Sequence, residues 1–329
     1  MKKEKVVKDF EPELENYSFC LFRLPEEGGR VIWEITNSCN YSCGYCIFSA
    51  EKGRIPDELT NEEVFEVLEG LKEREFSHLK LTGGEPFIRK DFMDILKQSS
   101  NLGFIVDVST NASLITAEKA RTIKDLGVQM VHVSIDGHNQ ELHELARGKN
   151  TYQRTIRGLQ HLIDNDVNVR VGTVIFKANE DYLSKMVDSA AALGANEIIF
   201  SFMEPVGRMK DDYSMISSRP ILEVKSKIEQ LAEQYVGQIQ VKHSFTEDAK
   251  HNEQGTCPAV RKFLYIDNLG TVSPCTWVVE QNPKYRSNLT VKEASFDEVM
   301  NSKPIRSYLS YIERLNNEEI KGCPVRRRC

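Results

Sequence analysis

The chain has 329 residues, of which 40% are hydrophobic and 28% charged, with a formal net charge of −6 at pH 7. This length and apolar content suffice for a buried core in one large α/β domain, with or without a smaller appendage. The modest charge, the short basic clusters and the absence of any apolar window near the ~18 residues of a membrane helix exclude nucleic acid and a membrane as expected partners. The charged amino-terminal segment lacks an apolar stretch, which favours a cytoplasmic location.

Apolar runs of strand length alternate with helix-period segments six times between residues 30 and 202. This alternation predicts parallel strands joined by crossover helices. Six βα units are too few to close an eight-stranded barrel, so the fold class expected is α/β, a partial TIM-like (βα)6 barrel open on one side. The predicted strands cover residues 31–35, 78–81, 104–108, 130–135, 168–176 and 197–202.

Capping signals support the intervening helices. Thr60 and Glu63 form a capping box before the first, and Asn179 is the predicted cap of the last. The predicted helices cover residues 62–74, 92–101, 117–126, 152–164 and 180–193.

After residue 205 the alternation is expected to stop. A helix over 221–235 precedes a hairpin that turns at residues 267–270, and helices around 295–301 and 304–315 follow. The predicted organisation is therefore an amino-terminal extension, the barrel, a linker helix and strand, and a small carboxy-terminal cysteine-bearing domain. Their boundaries are 1–29, 30–205, 206–256 and 257–329.

Three of the eight cysteines, Cys39, Cys43 and Cys46, lie in one loop directly after the first predicted strand. In a reducing compartment such crowding favours thiolate ligands over disulfides. The C-x3-C-x2-C spacing can bind three irons of a cubane cluster and leave the fourth iron open to a small chelating molecule. The alternative is half of a structural zinc site, but this loop offers no fourth ligand.

Other unusual segments also follow predicted strands, and in a parallel barrel such loops converge on one mouth. They are TGGEP, STNAS, SIDG and MEPVGR. Gly83 and Gly84 allow the backbone to approach a ligand closely, and Glu85 can receive an ammonium group. Glu204 and Arg208 are candidate catalytic or substrate-gripping residues, with an ordinary surface ion pair as the alternative.

The segments CNYSCGYC and TGGEP, one strand apart, resemble the radical S-adenosylmethionine (SAM) superfamily. The resemblance implies that the three loop cysteines bind a [4Fe-4S] cluster whose open iron chelates SAM. Reduction would cleave SAM to methionine and a 5′-deoxyadenosyl radical, which abstracts a substrate hydrogen. It further implies a flavodoxin- or ferredoxin-type electron donor. The SAM contacts implied by the family motifs are Tyr45, Gly83, Gly84, Glu85, Ser109, Asn111, Ser134 and Arg147.

A second group of cysteines, Cys257, Cys275, Cys323 and Cys329, falls outside the predicted barrel. Four thiols suit either a fully ligated cluster or a four-thiolate zinc site. The surrounding sequence looks like the SPASM/twitch extension of radical SAM enzymes, which implies an auxiliary [4Fe-4S] cluster bound by these four residues. Because only four cysteines are present, the shorter twitch version with one cluster is expected.

The expected function is oxidation or bond formation on a peptide or a small natural-product or cofactor precursor. The roughly thirty residues before the first strand are too few for a peptide-binding module, so a separate peptide-binding protein would be a partner. One alternative is a redox-neutral epimerase in which Cys20 donates a hydrogen atom, unless Cys20 is simply a buried apolar residue. Another is a non-enzymatic binding protein held together by zinc.

Overall fold

The computed structural model describes residues 17–18, 27–53, 56–210, 212–244, 246–247, 257–276, 282–317 and 319–320. Among the residues singled out above, Cys20, Cys323 and Cys329 lie outside these ranges. What the sequence suggests for those three cysteines therefore remains a prediction.

A nine-stranded sheet forms the centre of the structure, and eight of its strands are parallel to their neighbours. The described strands are β1 (Tyr17–Ser18), β2 (Gly29–Thr36), β3 (Phe76–Gly83), β4 (Ile105–Thr110), β5 (Met130–Ser134), β6 (Val169–Ile175), β7 (Glu197–Phe202), β8 (Gln240–His243), β9 (Thr246–Glu247), β10 (Phe263–Ile266) and β11 (Val272–Ser273). Their order in the large sheet is β11-β10-β2-β3-β4-β5-β6-β7-β8, and β1 pairs separately with β9. This architecture confirms the predicted α/β class and the parallel, partly closed barrel.

Helices follow most of the parallel strands and cover one face of the sheet. Within the described ranges, no helix is long and apolar enough to cross a membrane. The helices are α1 (Asn61–Glu73), α2 (Phe92–Asn101), α3 (Ala117–Asp125), α4 (Gln140–Arg147), α5 (Tyr152–Ile163), α6 (Leu183–Ala192), α7 (Ile221–Gln234), α8 (Phe296–Met300) and α9 (Lys303–Asn316).

The two faces of the sheet differ in character. On the helix-covered face, every second strand residue is apolar and buried in the main core, as Val31, Trp33 and Leu79 are. Burying one such side chain stabilises the fold by about 1.5–3 kcal/mol. The residues between them point to the opposite, inner face, where polar and charged side chains are common. The helices thus supply stability on one side and leave the inner side for chemistry.

The barrel extends further along the chain than the sequence indicated. Helix α7 leads into β8, which pairs in parallel with β7 at Glu197↔Gln240. The expectation that strand–helix alternation stops after residue 205 is therefore wrong by one unit. Its cause is the short β8, which has four residues and too little apolar periodicity to be recognised as part of a parallel sheet.

The predicted hairpin is present, and its position adds a feature that the sequence did not indicate. Asp267 Oδ1 accepts hydrogen bonds from Leu269 N at 3.0 Å and Thr271 N at 2.8 Å, which fixes the turn between β10 and β11. Strand β10 also pairs in parallel with β2, with Tyr265 opposite Ile32. The carboxy-terminal segment thereby becomes part of the barrel sheet.

A buried hydrogen bond lies on the inner face at this junction. Tyr265 Oη donates to Glu34 Oε2 at 2.6 Å, and both side chains are buried. Burial raises the pKa of Glu34 to about 8, opposed by the hydrogen bond from Tyr265. Glu34 is therefore held mainly as the neutral acid at pH 7.

Replacing Glu34 by glutamine is expected to flatten the pH dependence of stability. The folded protein holds a proton on Glu34 that the unfolded chain releases above about pH 4.5, so the wild type loses stability as pH rises from there to about 8. Glutamine keeps a hydrogen-bond acceptor for Tyr265 without this loss. Urea unfolding at pH 5 and pH 8.5 should show an advantage of the variant only at the higher pH. The control is Glu66→Gln, exposed on α1, and an equal effect of Glu34→Gln at both pH values would contradict the argument.

Of the two predicted helix caps, Thr60 and Asn179, only Thr60 caps a helix in the structure. The capping box of Thr60 and Glu63 is present at α1. Asn179, in contrast, does not cap α6, which begins at Leu183 after an N-cap without a side-chain bond. Its side-chain amide instead donates to the carbonyls of Asp136 at 3.0 Å and Val174 at 2.8 Å. That prediction is wrong because the side chain connects two barrel loops.

Candidate active site

The three cysteines of the CNYSCGYC segment lie in the loop that follows β2, at the carboxyl edge of the sheet. Cys39 is buried, Cys43 and Cys46 are half-buried, and all three pack with Tyr41 and Ala50 in one cluster. None of the three forms a disulfide. One loop therefore holds three soft sulfur donors, as an iron–sulfur cluster requires.

Backbone amides point at two of these sulfurs. Tyr41 N donates to Cys39 Sγ and Ala50 N to Cys46 Sγ, each at 3.4 Å. Burial raises the pKa of Cys39 to about 12, so this thiol stays protonated unless a metal replaces its proton. Across the described ranges, no three His, Cys, Asp or Glu side chains surround one point as a single metal ion requires. A cubane would place each thiolate on a different iron.

The TGGEP segment packs directly against the cysteine loop. Gly84 N donates to Thr36 O at 2.7 Å, and Glu85 N donates to Ser38 O at 2.8 Å. A Cβ on Gly84 would lie 2.2 Å from Ser38 O, and Gly83 adopts φ +137°. The two glycines are therefore required for the backbone of β3 to reach the loop of β2.

Glu85 is buried and joins TGGEP to the STNAS segment after β4. Its carboxylate accepts hydrogen bonds from Thr110 Oγ1 and Asn111 N, both at 2.7 Å. Desolvation raises its pKa to about 7, and these hydrogen bonds oppose that rise. Asn111 Nδ2 in turn donates to Asn40 Oδ1 at 2.9 Å. The predicted site residues Glu85 and Asn111 thus meet the cysteine loop in one hydrogen-bonded unit.

A second buried unit connects the cysteine loop to the SIDG segment after β5. Arg147 Nε donates to Asp136 Oδ2 at 2.5 Å, and Tyr45 Oη donates to the same oxygen. The Arg147 guanidinium also lies 5.5 Å from the centre of the Tyr45 ring. Burial raises the pKa of the Cys43 thiol, and the nearby Arg147 lowers it. Asp136 lies within the SIDG segment, but no motif in the sequence marks it as a site residue.

The MEPVGR segment after β7 reaches across to the other side of the cysteine loop. The Arg208 guanidinium donates to Cys43 O at 2.7 Å and to Ala50 O. A Cβ on Gly207 would lie 2.4 Å from Cys46 O. Arg208 therefore clamps the loop backbone, and Glu204 lies half-buried at the start of the same segment.

Replacing Arg208 by alanine is expected to speed the loss of iron from the reconstituted protein to a chelator by about thirtyfold, because it removes two hydrogen bonds that contribute roughly 1 kcal/mol each. Arg208→Lys should be intermediate, since an ammonium group cannot span both carbonyls. The control is Lys210→Ala, a nearby exposed residue. Equal rates of iron release from the wild type and the three variants would show that Arg208 does not stabilise the cysteine loop around its cluster.

The remaining predicted contacts lie on the inner face. Ser109 and Ser134 are half-buried near the carboxyl ends of β4 and β5, where the sheet places Ser109 opposite His132 and Ser134 opposite Gly172. The segments at the carboxyl ends of five strands therefore meet at one edge of the barrel. These strands are β2, β3, β4, β5 and β7. That edge carries the loop cysteines and every predicted SAM contact.

The part of the chain that forms this edge matches a known protein family. The radical SAM superfamily model matches residues 33–190, which include the cysteine loop, TGGEP and SIDG. Residues 33–190 therefore form a radical SAM domain. This superfamily uses a [4Fe-4S] cluster and SAM, and the donor set of Cys39, Cys43 and Cys46 fits that cluster.

Curated relatives of this radical SAM protein include an AdoMet-dependent heme synthase from Methanosarcina barkeri, 28% identical over 316 residues, with 89% of this chain and 86% of the relative covered. The mycofactocin maturase MftC from Mycolicibacterium smegmatis is 29% identical over 182 residues, which cover 55% of this chain and 46% of MftC. A heme synthase from Oleidesulfovibrio alaskensis is 30% identical and also covered over 46% of its length. The chain thus matches about half the length of the latter two relatives.

Solved structures support the fold of the radical SAM protein. Streptococcus suis SuiB bound to S-adenosylmethionine superposes with a TM-score of 0.71 at 14% identity, covering 93% of this chain and 71% of SuiB. The enzyme anSMEcpe with bound AdoMet gives a TM-score of 0.66 at 18% identity, with 86% and 83% covered.

The second cysteine group is partly described. Cys275 is buried, and Cys257 is half-buried with its Sγ 3.9 Å from Tyr308 Oη. Two residues before Cys275, the buried hydroxyl of Ser273 has no hydrogen-bond partner among the described residues. A buried donor of this kind suits a cluster sulfide beside Cys275. Cys323 and Cys329 lie outside the described ranges, so the four-cysteine site remains a prediction.

Proposed function

We propose that this radical SAM enzyme abstracts a hydrogen atom from a peptide or from a small natural-product or cofactor precursor, giving oxidation or a new bond. The observation that carries the proposal is the cysteine loop itself. TGGEP, the Asp136–Arg147 pair and Arg208 hold it from three directions. The word maturase in the name of MftC and the SuiB structure with precursor peptide SuiA support a peptide substrate. The heme synthase relatives support a cofactor precursor.

When bound, the cluster and SAM supply the 5′-deoxyadenosyl radical that abstracts hydrogen. Such a radical reacts with almost any C–H bond, so the protein must fix geometry and exclude water. Tyr45 packs with Phe176, Met203 and Met209 in an apolar cluster beside the cysteine loop. These side chains limit the access of water from that side.

The contacts proposed for SAM follow the family motifs. The Gly83–Gly84 backbone and Glu85 would bind its amino group, and the Tyr45 main chain would contact its adenine. Ser109 and Asn111 would lie near its ribose, and Ser134 and Arg147 near its ribose and carboxylate region. Because Arg147 is already paired with Asp136, we expect it to act mainly by placing Tyr45 and the loop.

Electron transfer completes the proposal. A flavodoxin- or ferredoxin-type protein would reduce the site, and an auxiliary [4Fe-4S] cluster on Cys257, Cys275, Cys323 and Cys329 would accept the substrate electron. A separate peptide-binding protein would deliver a peptide substrate. The epimerase alternative depends on Cys20, which lies outside the described residues. The zinc-binding alternative predicts a colourless protein.

The proposal is tested by anaerobic reconstitution. The enzyme should bind about eight irons per chain, absorb broadly near ~400 nm and bleach with dithionite, as two [4Fe-4S] clusters do. With SAM and reductant it should release 5′-deoxyadenosine, faster when the substrate is present. Peptides encoded beside the gene and porphyrin precursors, each deuterated, are the candidates, and deuterium in 5′-deoxyadenosine identifies the substrate. A colourless preparation without iron would contradict the proposal.

A further inference from the structure

The inner face of the barrel carries a row of charged side chains that the proposed chemistry does not use. Seven consecutive strands, β2 to β8, contribute ionisable residues to this face. One residue from each strand forms what we call the charged belt, which leaves out His78 and the Tyr265-bonded Glu34. Each belt residue has at least one direct neighbour along the chain that is a buried apolar residue of the helix-covered face. The belt consists of Arg30, Lys80, Asp107, His132, Arg170, Glu197 and Lys242.

Such a belt departs from the usual interior of a parallel barrel. In a closed (βα)8 barrel, layers of branched apolar side chains fill the interior. Here all belt residues except Glu197 remain half-buried, so solvent or a ligand can reach them. Ionised groups in a partly desolvated interior cost free energy unless they are paired. The salt bridges within the belt therefore show whether each charged side chain has a partner of opposite charge.

One end of the belt is paired internally. Glu197 accepts from Arg170 Nε through Oε2 and from Lys242 Nζ through Oε1, the latter at 2.8 Å. Arg170 Nη1 lies 3.4 Å from His132 Nε2, and that nitrogen is 3.8 Å from Asp107 Oδ2. The Glu197 carboxylate thus forms salt bridges with two cations, Arg170 and Lys242.

At the other end the belt has a single carboxylate, Asp107, which lies opposite Lys80 in the sheet. Among the described residues, neither Arg30 nor Lys80 forms an ion pair with a carboxylate. Burial lowers the pKa of Lys80 to about 8, although Asp107 opposes the shift. Burial and the cation Lys80 lower the pKa of His132 to about 4, which keeps it neutral at pH 7. Four cations therefore face two carboxylates.

The belt lies within reach of the reaction site. His132 precedes Ser134 by two residues, and Asp107 precedes Ser109 by two. At about 3.3 Å per residue, Asp107 lies about 7 Å below Ser109 on the same strand. Lys80 is opposite Asp107 in the sheet, and Arg30 lies two residues below the position opposite Lys80. A substrate fixed at the belt would project its carbon skeleton toward the mouth.

We propose that the charged belt binds an oxyanion of the substrate, a carboxylate or a phosphate, through Lys80 and Arg30. The inference rests on the proposed function and adds the substrate class: a molecule that carries an anionic group a short distance from its reactive carbon. Lysine and arginine supply charge-assisted hydrogen bonds to such groups. Asp107 and Glu197 hold the other members of the belt in place.

The competing interpretation is that the belt has only a structural role. Its side chains would then fill the amino-terminal end of the barrel interior without binding a ligand. A purely structural belt would bind no anion beyond general salt effects. Removal of the Lys80 charge, which forms no salt bridge among the described residues, would then leave the protein equally or more stable. The two interpretations therefore predict opposite results for anion binding.

The test is titration calorimetry of the reconstituted holoenzyme with SAM, using glutarate and inorganic phosphate at constant ionic strength. We expect binding of at least one anion, weakened by about tenfold or more in Lys80→Gln, as for a lost charge-assisted hydrogen bond. Arg30→Gln provides a second variant, and Lys97→Gln, exposed on α2, is the control. The tighter ligand distinguishes a carboxylate from a phosphate substrate. No binding of either anion, or equal binding by Lys80→Gln and Lys97→Gln, overturns the inference.

The same preparations separate this inference from the proposed function. Iron content and release of 5′-deoxyadenosine are measured without substrate in each. If both are normal and neither anion binds, only the belt inference fails. If an anion binds through Lys80 but SAM is not cleaved, the proposed function fails and the anion site stands.

Discussion

Replacing Cys39, Cys43 and Cys46 together by alanine is expected to abolish SAM cleavage, to below about one thousandth of the wild-type rate, since no thiolate remains to bind the cluster. Iron per chain should fall by about four. The fold should persist because the cysteine loop lies at the edge of the barrel and outside its main core. Iron analysis, absorption near ~400 nm and 5′-deoxyadenosine release measure the effect, and circular dichroism checks the fold.

The matched control removes two cysteines from the other group. Cys257→Ala with Cys275→Ala should also lower the iron content by about four if an auxiliary cluster is bound there. It should keep SAM cleavage, because the loop after β2 is intact. If the triple variant cleaves SAM as fast as the variant that lacks Cys257 and Cys275, the cysteine loop does not hold the reactive cluster.

Replacing Asp136 by alanine is expected to destabilise the fold by about 3–5 kcal/mol, the usual result of leaving one partner of a buried ion pair unpaired. Arg147 is 9% exposed and would keep its charge without a counterion. Tyr45 and the backbone amide of Val174 would lose their acceptor as well, the latter now bonded at 2.9 Å. Urea unfolding measures the loss, and cluster content should fall because Tyr45 no longer anchors the cysteine loop.

A surface ion pair is the comparison for this variant. Asp181 pairs with Arg219, and their side chains are 62% and 43% exposed. Asp181→Ala should therefore change stability little, because water solvates either partner left behind. If Asp136→Ala proved as stable as Asp181→Ala and retained its iron, the buried pair would not support the loop.

Regular elements were predictable where local pattern and tertiary packing agree. Strand β6 and helix α5 were found within a residue or two, since their buried positions repeat at the strand and helix periods. Helix α4 was missed because it is short and its buried residues are His143, Ala146 and Arg147, of which only the alanine is apolar. Its cap, Asn139, accepts a bond from Leu142 N and was the available signal.

The site was predictable to the extent that motifs mark it. Cysteine spacing and TGGEP located the loop and its neighbour, but the partners that hold the loop come from distant segments. Asp136 is one acidic residue in a loop, and only the fold places it beside Tyr45. The sequence left Arg208 between a substrate contact and a surface ion pair, and it did not indicate that the guanidinium binds backbone carbonyls of the loop. No local pattern reports such long-range contacts.

The parallel pairing of β10 with β2 also has a bearing on truncated versions of the protein. Removing residues 257–329 would uncover backbone donors and acceptors along β2, opposite the four residues of β10. An uncovered strand edge of this kind recruits strands from other chains. A shortened protein ending at residue 256 should therefore self-associate, so the matched family region is better studied with its carboxy-terminal neighbour attached.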